Sequence, residues 1–197
     1  MPTARETLLD SALSALAQRP WSAVRMVEVA QSAGVSRQTL YNEFGSKDGL
    51  ARALTRREVD TFLTGVDLAL AGAERSGADA GDCFAAAAEW TLRNVQSNPL
   101  VRSVLTGGRE DRLTLVPGTV PLGPTDMVAA LRNRAVGALE HGFPTLELAE
   151  IGSVCEAAVR LTVSYAVAPA GTMDEACAAV AGLVRGLLWQ GWCDDGT

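Results

Sequence analysis

The chain has one lysine and one histidine in 197 residues, and aromatic residues make up only 5% of it. With so little histidine, and with no nucleophile–base pair, metal-ligand cluster or glycine-rich phosphate loop in view, nothing marks an enzyme. No catalytic residue, metal or cofactor is expected. No apolar run reaches the roughly 20 residues that a membrane span needs, so no membrane partner is expected. The start, MPTARETLLD, lacks an apolar signal region, which points to a cytoplasmic protein. The four cysteines (Cys83, Cys155, Cys177, Cys193) are scattered without a CxxC pair and read as reduced core residues. The lone histidine, His141, precedes Gly142 and reads as a helix C-terminal residue that complements the dipole.

What is abundant is alanine and leucine, with few β-branched runs, a composition that favours helices. Charge is unevenly shared. Residues 1–57 hold eight basic and five acidic side chains, and the remainder holds nine basic and eighteen acidic, giving a net charge of −6. Positive charge is thus gathered at one end of an acidic protein, where a local field can attract a polyanion whatever the overall charge.

The apolar spacing and the helix punctuation predict an all-α chain of about nine helices. The first runs over about 3–19, with Leu9, Ala12, Leu13 and Leu16 as its stripe, and Pro20 stops it. Trp21 is expected to fold back onto a small N-terminal core. Further helices follow over about 26–33, 36–44 and 47–71, then a loop over 72–81, helices over 82–97 and to 105, and a long Gly/Pro-rich loop over 107–123 of the kind that serves as a lid. The last three span about 125–142, 145–168 and 172–192, the last opened by a capping box from Thr172 to Glu175. The division expected is a DNA-binding domain over 1–50 and a larger helical domain over 51–197.

The segment SAGVSRQTLYNEFGSK, Ser32 to Lys47, has the layout of a helix-turn-helix. Gly34 supplies the turn, Val35 plugs inward, and Ser36 caps the second helix. Leu40 and Phe44, spaced i and i+4, point to the core. Arg37, Gln38, Thr39, Tyr41 and Asn42 then crowd the opposite face with hydrogen-bonding groups, as a helix laid in a major groove requires. Lys47 opens the next helix.

The opening helix RETLLDSALSALAQR, the VEVAQSAGVS segment, the TLYNEF core and the GSKDGL turn together resemble the DNA-binding domain of the tetracycline-repressor (TetR/AcrR) family of bacterial regulators. The likeness covers about Thr3 to Leu54. It implies a homodimer on a palindromic double-stranded operator, usually a repressor, released by a small-molecule effector; an effector-independent or activating regulator is the alternative. It further implies that Arg37 and Gln38 reach bases, that Tyr41 and Lys47 hold phosphates, that Asn42 lies near either, and that Thr39 meets a phosphate or a thymine methyl. Three places in the chain depart from the family pattern. Pro20 replaces a common glycine. Arg25 and Met26 stand where Thr or Ser usually caps the second helix, so Arg25 is the expected phosphate contact there. Gly49 replaces a common glutamate, which leaves Ser46 without a reciprocal capping partner.

Family ligands sit among the fifth to eighth helices, so the expected pocket comprises Phe84, Ala88, Trp90, Thr91, Val95, Val104, Met127, Leu131 and Val163. An apolar lining with a few polar groups suits a largely apolar organic effector. The last two helices are rich in Ala and Gly and are expected to pair with their copies as a four-helix bundle, through Ile151, Cys155, Val159 and Thr162 on one and Val180, Val184, Leu187 and Leu188 on the other. The long fourth helix joins the two parts without a flexible linker and is expected to carry the response from one to the other.

Overall fold

The computed structural model describes residues 2–107, 123–144 and 148–194, with side chains described except at 148–149 and 189–194. Among the described residues there are nine α-helices and no strand: α1 Ala4–Gln18, α2 Met26–Ser32, α3 Arg37–Phe44, α4 Lys47–Arg75, α5 Ala80–Ser97, α6 Pro99–Thr106, α7 Pro124–Gly142, α8 Leu148–Val167 and α9 Met173–Asp194. A 3-10 turn, Trp21–Ala23, follows Pro20. The loop expected over 107–123 lies almost wholly outside the described residues, as do the expected helix start at Thr145 and the Cys193 side chain.

Local signals set most of the boundaries. A capping box opens α1: the Thr3 hydroxyl accepts from the Glu6 N–H at 3.2 Å, and the Glu6 carboxylate accepts from the Thr3 N–H at 2.7 Å. The Thr172–Glu175 box opens α9 in the same way, at 3.2 and 2.7 Å. The loop expected over 72–81 is shortened from both ends. The stretch after Ala71, Gly72 included, stays helical to Arg75, and α5 begins at Ala80 with Asp79 as its cap. A helix running in from well-packed turns tolerates one glycine at a cost of about 1 kcal/mol, less than unwinding it would cost.

The chain divides into two compact units, with one of the boundaries along the sequence falling in α4 between Asp60 and Thr61. The first holds everything up to Asp60 together with α6. Its core is built from Leu8, Ala12 and Leu16 of α1, Trp21, Val29 of α2, Leu40 and Phe44 of α3, Leu50 and Leu54 of α4, and Leu100 of α6. Each fully buried leucine contributes about 1.5–3 kcal/mol by leaving water. The core reaches beyond residue 50 because α4 keeps its apolar face inward through Leu54.

The second unit holds the rest of α4 with α5 and α7–α9. Here α5 packs on α9 and α8, and α8 packs on α7 and α9. Ile151, Cys155 and Ala158 of α8 interlock with Val180 and Val184 of α9 and with Phe84 and Ala88 of α5. Arg185 of α9 clamps the start of α5, donating to both Asp79 oxygens at 2.8 and 2.9 Å and to Asp82 at 2.5 Å.

Candidate nucleic-acid interface and apolar cleft

The helix-turn-helix is held from inside and open outside. Gly34 takes φ +67°, in the left-handed region that a Cβ disfavours. This reversal lets the Val35 N–H reach the Ala30 carbonyl at 3.0 Å, and Val35 packs against the head's core. Ser36 has extended backbone, and its hydroxyl accepts from the Thr39 N–H at 3.0 Å and pairs with the Thr39 hydroxyl at 2.8 Å. Leu40 is fully buried and Phe44 nearly so. With those two anchored, Ser36, Arg37, Gln38, Tyr41 and Asn42 are exposed, and Thr39 is half-buried.

Contacts along the exposed face preorganise it. The Gln38 amide donates to the Asn42 carbonyl oxygen at 2.8 Å, so the two amides form one unit with donors and acceptors still free. The Arg37 guanidinium lies over the Tyr41 ring, 5.6 Å from its centre. An arginine and paired amides are the groups that recognise guanine and adenine edges by bidentate bonds.

Lys47 is placed otherwise than an extended phosphate hook would be. Its ammonium donates to the Ser22 carbonyl at 3.1 Å and lies 5.6 Å from the centre of the Trp21 ring. The accompanying loss of water lowers its pKa from the ordinary lysine value. Arg25, the N-cap of α2, makes no side-chain capping bond and is exposed. Gly49 has a steric reason: a Cβ there would lie 1.9 Å from the Phe44 carbonyl oxygen. The glutamate usual in the family does not fit this approach of α4 to the end of α3.

Arg5 is a residue that sequence reasoning missed. It lies 4.7 Å from the centre of the Phe44 ring and donates to the Glu43 carbonyl at 3.3 Å, tying α1 to the end of α3. A contact across 38 positions leaves no periodic signal. Val27, near the start of α2, is also exposed, which its apolar character did not suggest.

The second unit contains an apolar cleft between α4, α5, α7 and α8. It is lined by Val66, Leu70, Phe84, Ala87, Ala88, Thr91, Leu131, Ala135, Val159 and Thr162, with a volume of about 20 Å³. That holds about one water. No lining residue is charged. Both hydroxyls already donate within their own helices, Thr91 to the Ala87 carbonyl at 2.8 Å and Thr162 to the Ala158 carbonyl at 2.9 Å. Only acceptor lone pairs remain for a guest.

Of the expected pocket residues, Phe84, Ala88, Thr91 and Leu131 line this cleft, and five do not. Trp90 turns to α4, where its indole N–H donates to the Phe62 carbonyl at 3.0 Å. Val95 lines a second cleft with Tyr165 and the turn before α9. Val104 belongs to α6 and the first unit, Met127 is fully buried, and Val163 is half-buried away from the cleft. The wall supplied by α4 was missed because that helix read as a connector.

Of the residues expected at a subunit interface, four are enclosed by the protomer, while Leu187 and Leu188 stay half-buried. Ile151, Cys155, Val180 and Val184 are buried inside the protomer at 0–2% exposure, so they present no surface to a second copy. Val159 and Thr162 line the cleft, and Leu187 and Leu188 pack against the protomer's own core. An apolar stripe on a helix seeks the nearest apolar partner, and here α5 and α7 supply it. Burial raises the thiol pKa of Cys155 to about 12 and pushes Cys83 and Cys177 upward too, so all three favour the protonated thiol.

With this geometry established, comparison with known proteins is specific. Residues 8–54 match the family described as "Bacterial regulatory proteins, tetR family", and residues 79–185 match "Bacterial Tetracyclin repressor, C-terminal domain". The HTH-type transcriptional regulator AlkX of Mycobacterium tuberculosis is 31% identical over 185 residues, spanning 91% of this chain and 82% of the relative. The crystal structure of the TetR family repressor AlkX from Dietzia sp., implicated in biodegradation of n-alkanes, superposes with TM-score 0.62 at 23% identity, covering 95% of this chain and 96% of that one. FadR of Bacillus subtilis, solved in complex with stearoyl-CoA, superposes with TM-score 0.54 at 14% identity, covering 92% and 96%. Among the described residues no helix is long and apolar enough to cross a membrane. The chain belongs to the tetR family of bacterial regulatory proteins and is a helix-turn-helix transcriptional regulator, not an enzyme.

Proposed function

We propose that this regulator is a cytoplasmic homodimeric repressor that holds a palindromic operator and lets it go when a neutral, largely apolar effector enters the cleft of the second unit. The observation that carries the DNA part is the exposed, prearranged face of α3. Arg37 and the Gln38–Asn42 pair read bases, while Tyr41, Lys47, Arg25, Ser36 and Thr39 serve the backbone, with Thr39 also within the reach of a thymine methyl. Two copies are needed because one recognition helix reads only a half-site, and adjacent half-sites lie about one DNA turn apart.

The subunit interface in this reading uses the sides of α8 and α9 that the protomer leaves open. On α9 these carry Ala178, Gly182 and Gly186, four residues apart. A Cβ added at either glycine meets nothing within 4 Å. Close helix approach by a second copy suits such a face.

The effector class follows from the cleft's chemistry. An uncharged lining whose hydroxyl donors are already used favours a hydrocarbon chain, at most with a donor group, over a carboxylate. The n-alkane biodegradation in which the Dietzia repressor is implicated supports the same class. The test is an operator-binding titration on the DNA upstream of the protein's own gene, with n-decane, 1-decanol, decanoate and stearoyl-CoA as probes. Release by decane or decanol but not by decanoate is expected. Binding of these probes without any change in operator affinity would refute effector control. A second reading, effector-independent regulation, is favoured by a cleft that holds only one water; it predicts that no probe binds.

A further inference from the structure

The second unit carries a clasp between α4 and α5 that neither the recognition face nor the cleft lining explains. Trp90 lies on α5 among the cleft residues Ala87, Ala88 and Thr91, yet it does not line the cleft. Its indole N–H reaches the carbonyl of Phe62 on α4 at 3.0 Å. That carbonyl sits inside a helix, where its own ladder already supplies a donor, so the indole adds a second bond. One turn on stands Gly65, buried in mid-helix. A Cβ there would lie 2.0 and 2.1 Å from two indole carbons, closer than any side chain permits. Glycine at such a position costs about 1 kcal/mol relative to alanine. The indole's seat against the backbone of α4 is what the glycine provides.

We infer that the Trp90–Gly65–Phe62 clasp makes α4 follow α5 when the cleft is filled, and that Trp90 is the positioning residue through which the effector acts on DNA affinity. This inference rests on the effector control proposed above. The next residue after Gly65, Val66, is a cleft residue, so the clasp and the cleft share one stretch of α4. A cleft with room for one water must widen for any organic guest, and its walls must part. The α4–α5 wall is joined by a part-buried hydrogen bond and an indole in close contact. Between α4 and α7 runs an exposed ion pair, Arg134 with Asp67 at 3.2 Å, of a kind that contributes little. Of these two ties of α4, the one to α5 is the stronger, so α4 is carried with α5 as the cleft widens. The same α4 runs unbroken back to Lys47.

Three variants test this, and two of them need no effector. Gly65→Ala forces the indole away and should weaken operator binding about tenfold in the absence of ligand, within the range of ordinary allosteric coupling. Adding Trp90→Ala to Gly65→Ala removes the clash and should restore affinity to within about threefold, a rescue that a loss of stability alone does not give. Trp90→Phe keeps a ring but loses the bond; with 1-decanol as probe it should still bind the ligand but show a smaller drop in operator affinity than wild type. Affinities are measured by fluorescence anisotropy on folded protein, with thermal unfolding recorded in parallel. Unchanged operator affinity in folded Gly65→Ala, or a double variant no better than the single, overturns the clasp. If Gly65→Ala does not fold, an undiminished decanol response in Trp90→Phe overturns it. If decanol fails to bind wild type, effector control by this class fails and the coupling inference falls with it, while the Gly65→Ala and double-variant arm still decides whether the indole's seat on α4 governs operator affinity.

Discussion

Replacing Lys47 separates two jobs that the structure gives to one ammonium. Within the head it bonds the Ser22 carbonyl and faces Trp21. At the operator it neutralises a phosphate in the reading above. A charged hydrogen bond to the carbonyl of an exposed residue together with a weak cation–π contact is worth about 1 kcal/mol after solvent screening. Lys47→Met keeps the aliphatic stem against Trp21 and removes the charge; Lys47→Ala removes both. Both should therefore lose DNA affinity alike, while the alanine variant unfolds earlier. The salt dependence gives the sharper test. Each phosphate contact contributes a slope of about −0.9 in log K against log salt, so a dimer lacking two has a slope shallower by about 1.8. Between about 50 and about 200 mM salt the deficit against wild type then shrinks about tenfold. Filter binding or anisotropy across that range measures it, on operator and on unrelated duplex. A slope equal to that of wild type would show that Lys47 serves only the fold, its charge being used up on Ser22.

Other perturbations fall on different parts of the molecule. Arg37→Ala should relax preference at one base pair per half-site, costing about 1–3 kcal/mol on the preferred base and little elsewhere, as read by binding to a panel of single-base operator variants. Leu40→Ala should lower stability by about 2–5 kcal/mol because that side chain is fully buried in the head; a urea unfolding curve displaced by less than about 1 kcal/mol would contradict its place there. Ser36→Ala removes the cap of α3 and should cost about 1 kcal/mol, with faster amide exchange confined to the first turn of that helix. For the Arg185 clamp, hydrogen bonds from the guanidinium hold the Asp79 carboxyl below its ordinary value of 3.8. A depressed folded value means that the unfolded chain takes up protons first, so this stabilisation is present near neutrality and fades as pH falls below about 4. The stability gap between wild type and Arg185→Ala should close over that window, and a gap undiminished at about pH 3 would refute the assignment.

What could be read from the sequence was what depends on neighbours in the chain. Ser36, Gly34, Pro20 and the Thr172–Glu175 pair each act within four positions, and each sits where its chemistry required. The face of α3 was legible because Leu40 and Phe44 leave only one side for Arg37, Gln38 and Tyr41. On α8 and α9 that logic fails. Their surfaces are apolar or small nearly all round, so periodicity names more than one inward side and cannot say whether α5 or a second copy will cover it. Ile151, Cys155, Val180 and Val184 went to the protomer's own core for that reason. Long-range partners were equally silent: nothing near Lys47 announces Ser22, and nothing near Trp90 announces Gly65.

The small cleft bears on how control can operate at all. A guest that needs more room than one water cannot bind the form described without moving its walls. In that case the guest binds a second, wider form more tightly, and the switch is only as strong as that difference. Moving a population from one part in a hundred to ninety-nine takes about 5.5 kcal/mol of differential affinity. Burial of a hydrocarbon tail yields about 0.8 kcal/mol per methylene. A chain of about seven carbons is thus the shortest that supplies the whole switch from apolar contact alone, since the cleft offers no charge to add to it. Release should therefore steepen with chain length across a series of linear alcohols and plateau near that size. A short polar molecule that releases DNA as fully would show that the switch draws its free energy from somewhere other than this cleft.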